Sequence, residues 1–236
     1  MTVWLGKSFI GLLVFGGLAA CSAAPGVQLD DPIERKVKWY STLNGDDIRA
    51  RCAAGGSDEV RLIMNAVYSE HVRIHTLRPG STGSGLGQGQ TAVMDSRIIG
   101  ETDLTALAVD LTDLLGPGRG VDSKAAINAE QLAAIMDGLE ASGLSSGGAT
   151  PATLRGASHY WVASACRSGA YSFAAWRVDD GHAGSMAFVK PVLAADPSGI
   201  LVPVYQRAVR GGIEERRREQ FDFVLEAGPE GLLYLP

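Results

Sequence analysis

Apolar and polar positions change their rhythm several times along this chain. Val60, Leu62 and Met64 alternate around Arg61, and Val72, Ile74 and Thr76 alternate with His71, Arg73 and His75. A period of two is that of a strand, so residues 60–79 predict one strand, or two meeting near Ser69–Glu70. The glycine-rich stretch Gly80–Gln90 sustains no regular structure and reads as a mobile loop, or as a wide hairpin connection into "TAVMDSRII".

The period then lengthens. Residues 103–115 set Leu104, Leu107, Leu111 and Leu114 on one side of a helix that "GPG" stops. Residues 122–142 set Ala125, Leu132, Ile135, Met136 and Leu139 on one stripe, with Asp122 or Ser123 as cap and Gly143 as stop. A shorter helical segment is expected from Asp46, after a turn at Asn44–Gly45, with Gly55 and Gly56 ending it.

The last third alternates again. "SHYWVASAC" and "AYSFAAWRV", joined through Arg167, Ser168 and Gly169, form a hairpin signal. Further strands are expected in "SMAFVKPVLA", "ILVPVYQRAV", "EQFDFVLEA" and "GLLYLP", the two containing Pro191 and Pro203 as edges or bulges. The expected fold class is α+β, an antiparallel sheet with about two helices packed on one face.

The first residues follow a different logic. Met1 to Ala20 carries one charged side chain, Lys7, and then the apolar run "SFIGLLVFGGLAA", which has the form of a secretory signal core. Leu18-Ala19-Ala20-Cys21 resembles the lipobox of bacterial lipoprotein signal peptides, an aliphatic residue and two small ones before a cysteine. The resemblance covers 21 of 236 residues. It implies cleavage before Cys21, diacylation of the Cys21 thiol, and a third acyl chain on the freed amine. Two or more chains give stable membrane attachment where one gives only a marginal one. Ser22, rather than an aspartate, implies the outer membrane by the sorting habit of such proteins.

Three segments follow from this: a signal peptide over 1–20, a lipidated N-terminus and tether over 21–31, and a single α+β domain over 32–236. Cleavage removes Lys7 and no acid, so the formal charge moves from −5 to −6, a balance that argues against nucleic-acid binding by bulk charge. With Cys21 acylated, only Cys52 and Cys166 remain of the three cysteines. In an oxidising compartment the even pair points to a disulfide, the alternative being two separate buried thiols.

Candidate chemistry is sparse. His71 and His75, about 13 Å apart along a strand, cannot share one zinc, and the expected place for them is a wetted face beside Arg73. His159 and His182 lack neighbours at ligand spacing, so no metal and no cofactor is expected. Ser185 in "GHAGSMAF" is not a nucleophile elbow, and Ser123-Lys124 lacks the S-x-x-K spacing. "EERRREQ" reads as a solvated connection with only a weak basic patch. The aromatic set Tyr160, Trp161, Tyr171, Phe173 and Trp176 is the candidate binding surface. Since Tyr160 and Trp161 point to opposite faces, one of them is expected near solvent. The expected function is a non-catalytic cell-envelope lipoprotein on the periplasmic side of the membrane, held by its acyl chains and working by binding a ligand or an envelope protein partner. The alternative is an envelope hydrolase whose residues converge from separate loops.

Overall fold

The computed structural model describes residues 39–68, 70–81, 83, 85–100, 120–146, 152–178, 186–202, 212–213, 223–228 and 231–235. The signal and lipobox over 1–21, the tether, the helix expected over 103–115, His182, Ser185, Pro203 and "EERRREQ" lie outside these residues.

The central element is a six-stranded antiparallel sheet in the order β4-β3-β2-β1-β6-β7. It is built from β1 (Glu59–Ala66), β2 (His71–Pro79), β3 (Ala92–Gly100), β4 (Val121–Ile127), β6 (His159–Arg167) and β7 (Ala170–Arg177). A second antiparallel sheet, ordered β5-β8-β9, joins β5 (Ala152–Arg155), β8 (Val224–Gly228) and β9 (Gly231–Leu235). β6 and β7 meet in a two-residue turn in which Ser168 and Gly169 both have positive φ, the geometry that matches strand twist.

Both faces of the large sheet are covered. On the first face, Leu62 and Met64 of β1, Leu77 of β2, Met94 of β3 and Trp161 of β6 pack under α3 (Ala129–Ala141) and α4 (Val189–Ala195). On the second face, Ile63, Val72, Tyr160, Val162 and Phe173 pack against Trp39 and Leu43 of α1 (described over 39–44) and against Leu154, Leu225 and Ala227 of the small sheet. Helix α2 (Asp46–Ala53) adds Ile48 and Cys52 beside Cys166. The antiparallel α+β architecture is therefore present, but with four helices among the described residues, on both faces, rather than about two on one.

Two segments differ from their expected conformation. Residues 122–142 split, with Val121–Ile127 forming β4 and the helix beginning only after Asn128. The open edge of β3 captures the first half, pairing Met94 with Ala125 and Ala92 with Ile127, so Asp122 and Ser123 lie in a strand and cap nothing. Asn128 caps instead: its side chain accepts from the Gln131 backbone N–H at 2.9 Å, and the Gln131 side chain accepts from the Asn128 N–H at 3.1 Å. The segment "SMAFVKPVLA" contains α4, not a strand. Pro191 sits in its first turn, where a missing N–H breaks no helical bond, and Val192 and Ala195 share its buried side.

The glycine-rich stretch connects β2 to β3. Leu86 plugs into the first-face core, its backbone N–H bound by the Asp58 carboxylate at 3.1 Å. The same carboxylate accepts from Ser168 N–H at 2.7 Å and so joins this connection to the β6–β7 turn.

Candidate functional site

The alternation of β2 sends His71, Arg73 and His75 to the first face, with Leu77 beyond them. This face is covered, so the expected wetted position is overturned for His75, which is fully buried beside an Arg73 only 1% exposed, while His71 at the strand's start is half-buried. The turn that follows α4 closes over them. Asp196, the residue that caps the C-terminus of that helix, accepts from an Arg73 Nη at 2.5 Å, and the other Arg73 Nη donates to the Ile200 carbonyl. Asp196 also accepts from Ser198 N–H at 3.0 Å and Ser198 Oγ at 2.9 Å, so the carboxylate is shared between the strand and its own turn.

The histidines are held around this pair. Arg73 Nε donates to His71 Nε2 at 2.9 Å, which requires that nitrogen to be unprotonated. Burial, then the charges of Arg73 and His159, push the His71 pKa down to about 4, against the opposing pull of Asp196. Val67, with φ of 65°, precedes His71 in the turn and accepts from its backbone N–H at 2.9 Å. A β-branched residue in the left-handed region is strained, and the strain is located where it fixes His71.

His75 lies one register step deeper. Its Nδ1 is 2.8 Å from Ser96 Oγ on β3, and its ring stacks on Trp161 with centroids 6.4 Å apart and planes 18° apart. Burial, with Arg73 adding to it and Asp196 opposing, lowers its pKa to about 4. His75 Nε2 and Ser123 Oγ have no hydrogen-bond partner among the described residues. Ser123 faces Ser96 in the ladder, so Ser123, Ser96 and His75 form a polar row across three strands. Burial raises the Asp196 pKa, but Ser198, His75 and Arg73 together outweigh it and keep the carboxyl below its ordinary value.

This arrangement can do two things chemically. It clamps the end of α4 to β2 through a buried ion pair, and it holds two neutral imidazoles that acid would charge. Ser96 and His75 have the spacing of a nucleophile and base, but Ser96 is 2% exposed and His75 is sealed. Among the described residues, no three His, Cys, Asp or Glu side chains gather where a metal ion could be held.

The other candidate residues are placed as follows. Cys52 and Cys166 are joined, with Cα atoms 5.5 Å apart and a sequence separation of 114. Tyr160, Trp161 and Phe173 are at most 2% exposed, and Tyr171 and Trp176 are half-buried. Tyr171 donates from its hydroxyl to the Asn44 carbonyl at 2.8 Å, and Trp176 from Nε1 to the Ser142 carbonyl at 2.9 Å. Tyr160, Trp161 and Phe173 therefore belong to the core rather than to a surface, and neither Tyr160 nor Trp161 lies near solvent, because each face of their hairpin has its own covering layer.

Charge gathers on the second face where α2 meets it, and runs from there toward the β3–β4 edge. Arg61 holds Asp47 of α2 in a two-point bridge of 2.8 and 2.7 Å, and Arg51 binds Glu59 at 2.6 Å. Burial raises the Asp47 pKa, but Arg61 and Arg51 more than offset it and the carboxyl is lowered. Arg78 continues the row to Glu59 and Asp95, and Lys124 of β4 meets Asp95 at 3.0 Å.

The sequence matches no protein-family model, and no match is found among curated proteins or solved structures. Among the described residues no helix is long and apolar enough to cross a membrane.

Sequence reasoning missed Arg73, Asp196 and Ser96 as members of the polar cluster. The one available signal was the run of His71, Arg73 and His75 at alternate positions, three polar side chains committed to a single face.

Proposed function

We propose that this chain is a cell-envelope lipoprotein, anchored by acyl chains on Cys21 at the periplasmic face of a bacterial membrane, most simply the outer one. Its body serves as a non-catalytic binding or assembly module toward a ligand or an envelope protein. The observation that carries the reading is the use of the three cysteines. Cys52 and Cys166 pair with each other, a use of cysteine that belongs to oxidising compartments, and Cys21 is left in the Leu18-Ala19-Ala20-Cys21 setting. A covalent staple and a core filled on both sheet faces suit a rigid presenting body.

Metabolic labelling with palmitate and membrane fractionation test the anchor. The wild-type chain is expected to carry label and to sediment with membranes, and Cys21→Ser to lose both. A wild-type chain without label overturns it. Cross-linking in intact cells followed by mass spectrometry tests the assembly role, for which recurrent cross-links to one protein species are expected.

The second reading, an envelope hydrolase, draws on the 2.8 Å contact between Ser96 Oγ and His75 Nδ1. A fluorophosphonate probe separates the two. Labelling that disappears in Ser96→Ala supports the hydrolase, and an unlabelled native chain supports the binding module.

A further inference from the structure

Strand β4 is one end of the large sheet, and among the described residues no strand pairs with its outer edge. Such an edge is a template for another strand unless its side chains forbid it. On the second face it carries Asp122 and Lys124, two residues apart, with side chains 71% and 67% exposed. On the first face it carries Val121, 53% exposed, and Ala125, which packs against the core.

From this pattern we infer that two copies of the chain join antiparallel through β4, with Ser123 of each on the two-fold axis. In that register Asp122 lies opposite Lys124 of the second copy, and Lys124 opposite Asp122. Two opposite-charge cross-strand pairs form at once, the kind that stabilises a ladder. Val121 lies opposite Ala125 of the second copy and extends the first-face core across the junction. The two-fold is perpendicular to the sheet, so apolar face continues into apolar face and charged face into charged face. The contact is isologous and closed, giving a twelve-stranded sheet in a dimer rather than a fibre.

The charges also select the occupant. A lone lysine on an edge strand normally repels a second copy, because the symmetric register sets lysine against lysine. Here an aspartate two residues away makes the edge complementary to itself two residues off that register, a slip that keeps each side chain on its face. An unrelated strand would need the same Asp and Lys spacing in reverse order to match.

Sedimentation equilibrium of the full-length chain purified in detergent, with the micelle density-matched, reads the mass. The wild-type chain is expected to be a dimer. Asp122→Lys and Lys124→Asp each set like charges against like and are expected to weaken the dimer at least about tenfold, since such pairs destabilise a ladder. The exchange Asp122→Lys/Lys124→Asp restores the complement between copies, though it sets like charges against Arg97 and Asp95 of β3 within each copy, and is expected to regain the dimer that the single variants lose. Circular dichroism checks that each variant is folded, as the exposure of both side chains leads one to expect. A monomeric wild type, single variants as dimeric as wild type, or an exchange variant that stays monomeric overturns the inference. The proposal does not rest on the acyl anchor: the mass of the protein component is read with or without palmitate, and labelling reads the anchor separately.

Discussion

Arg73 and Asp196 stand 2.5 Å apart with side chains 1% and 3% exposed, although they are 123 positions apart in sequence. An ion pair withdrawn this far from water gains little over an apolar pair of the same shape. What it adds is definition, because the end of α4 has one place on β2 where its carboxylate finds a guanidinium.

Breaking one side of the pair is therefore expected to be severe. Asp196→Asn leaves a buried guanidinium without a counter-charge, at a cost of about 3–5 kcal/mol. Arg73→Met/Asp196→Leu removes both charges and should recover much of that loss. Urea unfolding of the single and double variants measures it. A loss under about 1 kcal/mol for Asp196→Asn would mean that water reaches the pair in solution.

Acid should loosen the same region. His71 and His75 titrate near 4 in the folded chain and near 6.5 when unfolded, so the unfolded chain binds more protons between those values. Their neutral forms contribute stability that is fully present above pH 6.5 and is lost as pH falls through 4. For the sealed His75 the loss is on the order of 3 kcal/mol. Urea midpoints measured from pH 7.5 to 4 should fall steadily, and His75→Gln should flatten the profile while lowering stability at neutral pH. A wild-type midpoint that does not change across this window contradicts the buried neutral imidazoles.

The places where sequence and structure agree are those governed by local chemistry. The alternation at 60–79 gave the side-chain parity of β1 and β2, and Ser168-Gly169 marked a hairpin because both residues accept positive φ. Disagreement begins where a segment's partner decides its state. "VDSKAAI" fits the front of a helix until the edge of β3 offers it a ladder, and "VKPVLAA" fits a strand until Phe188 and Val192 find the first-face core. The polar cluster was hidden for the same reason. Alternation shows that His71, Arg73 and His75 share a face, but not that the turn after α4 folds back to bury it.

The Cys52–Cys166 bridge fastens α2 to the end of β6, and the chain it closes spans 114 residues. Chain entropy alone assigns such a loop about 5 kcal/mol, and native bridges commonly return about 2–5 kcal/mol. Cys52→Ala/Cys166→Ala should lower the melting temperature by that equivalent, and adding reductant to wild type should reproduce the shift. Hydrogen exchange is expected to rise first in α2, which has only Ile48 and Cys52 buried to hold it. Uniform loss of protection across the sheet would mean that the bridge acts on the whole fold instead.

Gly138 lies where α3 crosses the residues leading into α4, and a Cβ there would stand 2.7 Å from both Cα and N of Phe188. Alanine favours a helix interior over glycine by about 1 kcal/mol, so an open site would be stabilised by the change. Here the obstacle is backbone, which has no rotamer to yield, and overpacking of this kind costs about 1–3 kcal/mol. Gly138→Ala is expected to destabilise on balance, by about 1 kcal/mol. It should also disturb the near-ultraviolet circular dichroism, because the tilted Phe188–Trp176 contact, centroids 4.8 Å apart, must shift with the backbone. Shortening the Phe188 side chain should not rescue it, since the clash is with the main chain. If Gly138→Ala stabilises as an open helix site would, α3 and α4 do not approach this closely in solution.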